Sequence, residues 1–401
     1  MTNNAVFYGN QHIANGIRSR LIEDVNGLTM HVLEAGYDEV SDIETADKKR
    51  KPTIIFLHGF PELAFSFRHQ LSAFADAGYH VIAPDQRGYG LTTGWDARYD
   101  GDVASFRMFN LAKDIVYLAT RLGLDCVDGI VGHDFGSPVA AWCALIRPDL
   151  FHSLALMSAP FGGPPPASMN RDKSKATTAI DGRGRPASMN HSLAALEIPR
   201  IHYQTYYSTE PANADMCAAN TGLRDFFKGY YFLKSAAYKK NMPAPLDSWA
   251  AEQLAKLPRY YVMDLDKTMP QTVDAMMHDQ RVSDAEDWLT DDVMDVYADA
   301  YSKTGFQGGL NWYRCSVAAE YSSDLTIFTG RKIEVPACYI AGAADWGIHQ
   351  SPGQLEKMQT KACTEMTVMP FIQGAGHWLQ QEKPETVSHL LLDFFAKQHS
   401  N

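Results

Sequence analysis

The chain has 401 residues, 45% hydrophobic and 11% aromatic, and a formal net charge of −11. That length suits one large core with an insertion, or two domains, and the composition excludes disorder as the default. The acidic balance argues against nucleic acid or an anionic membrane as an obligatory partner, because both select basic surfaces, and leaves a small neutral molecule as the expected ligand.

Residues 1–20 hold no apolar signal segment, and no apolar run reaches the ~18 residues that a membrane span needs. The reading is a cytoplasmic chain with no membrane anchor, compatible with a homo-oligomer. Six cysteines, Cys126, Cys143, Cys217, Cys315, Cys338 and Cys363, stand apart with no C-x-x-C pair. Neither a disulfide framework nor a metal or cofactor site is expected.

In chain order, short β-branched and aromatic runs bounded by Gly, Pro and Asp predict strands over 18–24, 28–36, 53–57, 80–84, 129–132 and 153–158. Between them, Met108, Leu111, Ala112, Ile115, Leu118, Ala119 and Leu122 fall on one face of a helix over 106–122, and Gly123 supplies its stop. Near-continuous apolar strands alternating with helices imply a mostly parallel sheet covered on both faces. The strand signal vanishes over 161–324, where the text turns helical and aromatic. It returns at 335–341 and 365–370, before a last helix from about 384. The expected organisation is a core in two parts, 1–160 and 325–401, split by a helical cap over 161–324. At the start of the cap, 161–190 is rich in Gly, Pro, Ser and basic residues and repeats PASMN at 166–170 and 186–190. Two five-residue copies are too few for a repeat architecture, so a surface loop is expected there, with a gate over the active site as the alternative.

Gly132-His133-Asp134-Phe135-Gly136 follows the apolar run 129–131 and precedes a helix beginning near Pro138. Small residues flanking a central side chain at a strand, sharp turn and helix are what a nucleophile elbow requires, and here the centre is Asp134 instead of serine. A Gly-flanked aspartate alone is more often a turn or a helix cap. A second motif alters that balance: His58-Gly59-Phe60-Pro61-Glu62 directly follows strand 53–57, where hydrolases with such an elbow place half of an oxyanion hole. The backbone N–H groups of Phe60 and Phe135 are the expected donors to the anion of a tetrahedral intermediate. A third, Pro84-Asp85-Gln86-Arg87-Gly88-Tyr89-Gly90, is read as organising the loops around the site without touching substrate.

The chain order nucleophile, acid, histidine directs attention past the insertion. Asp345 in Gly342-Ala343-Ala344-Asp345-Trp346 and His377 in Gly374-Ala375-Gly376-His377-Trp378 both fall after predicted strands, at the sheet edge that carries Asp134. Of the 14 histidines, His377 is singled out by that position. It would deprotonate a water, with Asp345 fixing its tautomer and stabilising the imidazolium.

Taken together, HGFPE, PDQRGYG, GHDFGS, AGAADW and GAGHW resemble the soluble epoxide hydrolases, with the haloalkane dehalogenases as cousins, over nearly the whole chain apart from 1–20 and 161–195. The resemblance implies an α/β-hydrolase fold: a mostly parallel eight-stranded sheet with helices on both faces and an inserted helical cap. It further implies two cap tyrosines, which match Tyr203 in IHYQTYY and Tyr313 in NWYR. Tyr203 is preferred to Tyr206 on the phase of the Y-Q-x-Y motif. Trp346, Trp378, Gln204 and Trp312 flank these positions and are expected to line the substrate pocket. The implied reaction opens an epoxide, a cyclic ether, by attack of Asp134 while the two phenols hold the oxygen. Water then cleaves the aspartyl ester to release a vicinal diol. An alkoxide is a poor leaving group, and a phenol of pKa ~10 donates while staying neutral at pH 7.

A haloalkane dehalogenase would need side-chain N–H donors where Phe60 and Phe135 stand, and a haloacid dehalogenase an Arg beside the nucleophile, where Phe135 and Ser137 stand. A non-catalytic ligand-binding protein would tolerate loss of the triad, which is intact. Halide release would mark the first two, and binding without turnover the third.

Overall fold

The computed structural model describes residues 12–38, 50–167, 188–282 and 288–399. Eight strands form one sheet: β1 (Ile17–Val25), β2 (Leu28–Ala35), β3 (Thr53–Leu57), β4 (His80–Pro84), β5 (Gly129–His133), β6 (Leu154–Met157), β9 (Ala337–Ile340) and β10 (Met366–Val368). Their order is β1-β2-β4-β3-β5-β6-β9-β10, antiparallel where β2 meets β1 and β4 and parallel elsewhere. All eight coincide with predicted runs, because the central strands are covered on both faces and so read as unbroken apolar text. Every residue of β3, β5, β6 and β9 is buried. Burying Ile54, Ile55, Phe56 and Leu57 contributes about 1.5–3 kcal/mol per side chain.

Helices α1 (Arg68–Asp76), α2 (Met108–Arg121) and α3 (Gly136–Ile146) connect the core strands, and helix Pro384–His399 follows β10. The predicted face of α2 is the packed one: Leu111, Ala112, Ile115, Leu118 and Ala119 are buried, and Gly123 ends the helix at φ +68°.

Between β6 and β9 the described chain is mainly helical, but the strand signal does not vanish there as expected. β7 (Arg200–His202) and β8 (Val262–Asp264) form a two-stranded antiparallel ladder. Three residues are too few for a two-residue period to be legible. The ladder has a positioning role, since His202 ends β7 and its ring accepts the Gln204 N–H, capping the short helix Tyr203–Tyr207. The segment around 161–190 reaches a helix, Met189–Ala194, at its far end. Residues 168–187, with parts of both PASMN copies, lie outside the described residues, as do residues 1–11 of the N-terminal leader.

Glu34 ties β1, β2 and β4 together. It is 2% exposed and accepts from Arg18 Nε (2.8 Å), Arg20 Nη1 (2.8 Å) and His80 Nε2 (2.7 Å). Burial opposes its ionisation, but the hydrogen bond from His80 and then those from Arg18 and Arg20 prevail, bringing its pKa from 4.5 to about 2. A depressed carboxylate stabilises the fold above its unfolded value and loses that contribution as pH falls through the folded one. Glu34→Gln is therefore expected to cost on the order of 2–3 kcal/mol at pH 7. Denaturant titrations should show the difference shrinking as pH falls from 4.5 towards 2.

Candidate active site

The centre of the site is the turn between β5 and α3. Asp134 has φ +48°, a left-handed conformation that costs a non-glycine residue about 1–2 kcal/mol. The flanking glycines make the turn possible by close approach. A Cβ on Gly132 would lie 2.2 Å from the Gly136 carbonyl oxygen, and one on Gly136 2.2 Å from the Leu57 oxygen. Asp134 is 7% exposed, and its Oδ1 accepts the Phe60 N–H at 3.1 Å. Gly59, just before, lies so near the carboxylate that a Cβ would come within 2.4 Å of the Asp134 Cβ and 2.6 Å of Oδ1. Gly59→Ala is expected to displace the carboxylate and lower kcat/KM about 100-fold, the scale set by a misplacement near 1 Å. Steady-state kinetics beside an unchanged melting temperature would check this.

His377 and Asp345 follow β10 and β9 and converge on Asp134. His377 Nδ1 lies 3.0 Å from Asp345 Oδ1 and 2.9 Å from Ser158 Oγ, while Nε2 faces Asp134 Oδ2 at 3.3 Å. With Nδ1 donating to a carboxylate, Nε2 is the nitrogen left to accept a proton. Asp345 also takes the Gly347 N–H at 2.7 Å. For both aspartates burial opposes ionisation and is outweighed. His377, then Lys234 and His133, hold Asp134 far below the usual carboxylate range, and His377, Ser158 and the Gly347 N–H hold Asp345 down.

Behind this triad stands a pair that the sequence reading passed over. His133 places Nδ1 2.6 Å from Glu62 Oε2 and Nε2 2.7 Å from the His377 carbonyl oxygen. Both ring nitrogens meet acceptors, as an imidazolium requires. Burial disfavours that charge, but Glu62 outweighs it and raises the His133 pKa, and His133 in turn lowers that of Glu62. Gln380 donates to Glu62 Oε1 (2.7 Å), and Glu62 accepts the Gly59 N–H (3.0 Å), so one buried network joins the loops of Gly59 and His377. The Pro84–Gly90 segment frames the other side. Asp85 accepts the N–H groups of Ala64 (2.9 Å) and Leu91 (3.0 Å), and Arg87 forks onto Asp114. The Arg87 carbonyl takes the Trp312 indole N–H at 2.9 Å, fixing the helix Gln307–Val317 that carries Tyr313.

A chamber of about 30 Å³ is lined by Asp134, Tyr203, Tyr313 and Gln350, with Phe135, Pro138 and Ala159 as apolar wall. Tyr203 hydroxyl donates to Gln350 Oε1 (3.0 Å) and accepts from Gln204 Nε2 (2.9 Å). Tyr206 points elsewhere, donating to Asp215 Oδ2 at 3.0 Å. Burial, and then the charge of Asp134, push the Tyr313 phenol well above its ordinary pKa, so it stays a donor. Phe135, Pro138, Ala159 and Gln350 also line an adjoining cavity of about 140 Å³ that extends past Trp142, Phe161 and Trp312.

Of the four residues expected to line the pocket, Trp312 does so, while Trp346, Trp378 and Gln204 are absent from the linings of both cavities. Trp378 instead stacks on Tyr231, ring centroids 4.0 Å apart, and donates to its carbonyl at 2.9 Å. Trp346 is buried in the turn after Asp345, and Gln204 reaches the chamber only through Tyr203. Adjacency in sequence to a site residue does not give adjacency in the pocket when the intervening turn sends neighbouring side chains apart. Gln350 and the His133–Glu62 pair went unnoticed because their partners lie 147 and 71 positions away.

The sequence profile of the alpha/beta hydrolase fold family matches residues 52–384. Epoxide hydrolase A of Mycobacterium tuberculosis is 31% identical over 386 residues, covering 95% of this chain and 98% of that one. Epoxide hydrolase 2 of Siraitia grosvenorii is 28% identical, covering 93% and 96%. Among solved structures, an epoxide hydrolase from an endophytic Streptomyces superposes with a TM-score of 0.71 at 25% identity, covering 97% and 98%. Potato (Solanum tuberosum) epoxide hydrolase I gives 0.66 at 26%, covering 95% and 99%.

Proposed function

Because this chain belongs to the epoxide hydrolase family of the α/β-hydrolase fold, we propose that it converts a small neutral epoxide to a vicinal diol through an ester on Asp134. The observation that carries the reading is one chamber lined by a depressed carboxylate and two phenols, with the His377–Asp345 pair set against that carboxylate at its Oδ2. Asp134 Oδ1 is anchored by the Phe60 N–H, which leaves Oδ2 as the attacking oxygen. Tyr203 and Tyr313 hold the epoxide oxygen and supply a proton as the ring opens. Oδ1 then becomes the ester carbonyl oxygen. Water deprotonated by His377 Nε2 adds to that carbonyl carbon, the Phe60 and Phe135 N–H groups stabilise the oxyanion, and the diol departs with the former Oδ2.

The described helices between β6 and β9 act as the lid that supplies both phenols. The adjoining cavity of about 140 Å³ takes one aryl ring or a short alkyl arm, since an apolar space near 150 Å³ admits benzene. Among the described residues no helix is long and apolar enough to cross a membrane.

A single turnover with styrene oxide in H₂¹⁸O tests the scheme. Mass spectrometry should find ¹⁸O in the peptide containing Asp134 together with unlabelled diol; label in the diol alone would mean direct attack by water and would sink it. Tyr203→Phe and Tyr313→Phe should each slow ester formation about 10–100-fold, and the double variant should reduce it beyond rapid-mixing detection. Each phenol compensates only in part for loss of the other.

A further inference from the structure

Gln350 stands where the two cavities meet, lining both the chamber of Asp134, Tyr203 and Tyr313 and the larger space beside it. The turn that carries the acid sets it there. Asp345 Oδ1 accepts the Gly347 N–H at 2.7 Å, capping the short turn Trp346–Ile348, and the Gln350 N–H closes back on the Trp346 carbonyl at 3.0 Å. The Gln350 side chain is half-buried, and the two ends of its amide are not equivalent. A phenol hydroxyl has one proton to give and lone pairs to accept with. Gln204 Nε2 donates to the Tyr203 hydroxyl at 2.9 Å, and the Tyr203 proton goes to Gln350 Oε1 at 3.0 Å. That bond sets which way round the Gln350 amide sits, with its carbonyl on Tyr203 and its NH₂ group on the other arm. Among the described residues Nε2 makes no hydrogen bond, and it is not one of their sealed polar atoms. The heteroatoms of a planar amide are about 2.3 Å apart, so this open donor lies within about 5 Å of the Tyr203 hydroxyl.

Two donors so spaced suit two acceptors on one small molecule. An oxygen on the carbon next to an epoxide ring is three bonds from the ring oxygen, about 3 Å away. With the ring oxygen on Tyr203, that second oxygen comes within hydrogen-bonding reach of Gln350 Nε2. The larger cavity has the same mixed character. Phe106, Leu111 and Trp142 give it hydrocarbon, while Ser351 and Gln354, from the same stretch of chain as Gln350, give it polar atoms. A plain hydrocarbon arm would displace water from these polar groups without replacing its hydrogen bonds, which is unfavourable.

We propose that Gln350 is a specificity-determining residue, and that the substrates are epoxides bearing an ether, ester or hydroxyl oxygen on the carbon next to the ring. The two phenols hold the ring oxygen and Gln350 Nε2 holds the second one. This rests on the roles given above to Asp134, Tyr203 and Tyr313. The test compares kcat/KM of the full chain for butyl glycidyl ether and for 1,2-epoxyoctane, which has CH₂ in place of the ether oxygen. In Gln350→Met and Gln350→Leu the ratio of ether to hydrocarbon should fall about 10-fold from its wild-type value, the scale of one hydrogen bond in a half-exposed site. Loss of the acceptor for Tyr203 slows both substrates alike and leaves the ratio unchanged. The thioether analogue is a weak acceptor, so its rate relative to 1,2-epoxyoctane should not move in the variants. A ratio unmoved in both variants, or an equal fall for the thioether, would overturn the proposal while leaving the epoxide hydrolase reading intact. A wild-type enzyme that forms diol from neither epoxide would overturn both.

Discussion

Asp134→Ala is expected to lower kcat/KM for epoxide opening by about 10⁴-fold or more, the scale on which a lone nucleophile is lost, and to leave no adduct detectable by mass spectrometry. Among the described residues no other carboxylate lines the chamber, so nothing there substitutes. Asp345 is held by His377 and the Gly347 N–H, and Glu62 is fixed on the far side by His133. The fold should survive. Alanine at φ +48° bears strain similar to that borne by aspartate, and a buried charge is removed. A melting temperature equal to or above wild type, beside absent turnover, would separate chemistry from stability. Residual activity above about 1% would assign the nucleophile elsewhere.

The sheet was legible because burial on both faces writes strands as unbroken apolar runs, and the candidate site could be proposed because this topology brings the loops after its strands to one edge. Asp134, Asp345 and His377 sit one, five and nine residues past the ends of β5, β9 and β10, a placement that a single sequence can express. Tyr203 was separable from Tyr206 only by motif phase, and the physical reason appears in three dimensions: β7 ends at His202, whose ring caps the helix beginning at Tyr203. Contacts made across the fold leave no local trace. Glu62 and His133 each stood inside a recognised motif, yet their pairing depends on the approach of β3 to β5. Lys234 reads in sequence as a basic residue ending a helix, an ordinary complement to the helix dipole. Its burial among Tyr230, Tyr261 and Trp378 belongs to the packing of the helical segment on the core.

His377→Gln should divide the reaction in two. Attack by Asp134 needs no base, so the ester should still form, whereas its hydrolysis should slow about 10²–10⁴-fold, the contribution of a positioned general base. Intact-mass measurement would then show the protein carrying one epoxide equivalent during turnover, and rapid mixing would show a burst followed by almost no steady state. Ester formation should also become pH-dependent. His377 provides the leading interactions that hold Asp134 ionised against burial. Without it the carboxyl pKa rises, and the attacking anion is depleted as pH falls. The acid limb of ester formation, absent from the wild type above pH 5, should enter the measurable range in His377→Gln. A variant that lost ester formation equally at every pH would instead mean that the histidine acts before the ring opens, and the order of steps assigned to Asp134 and His377 would be wrong.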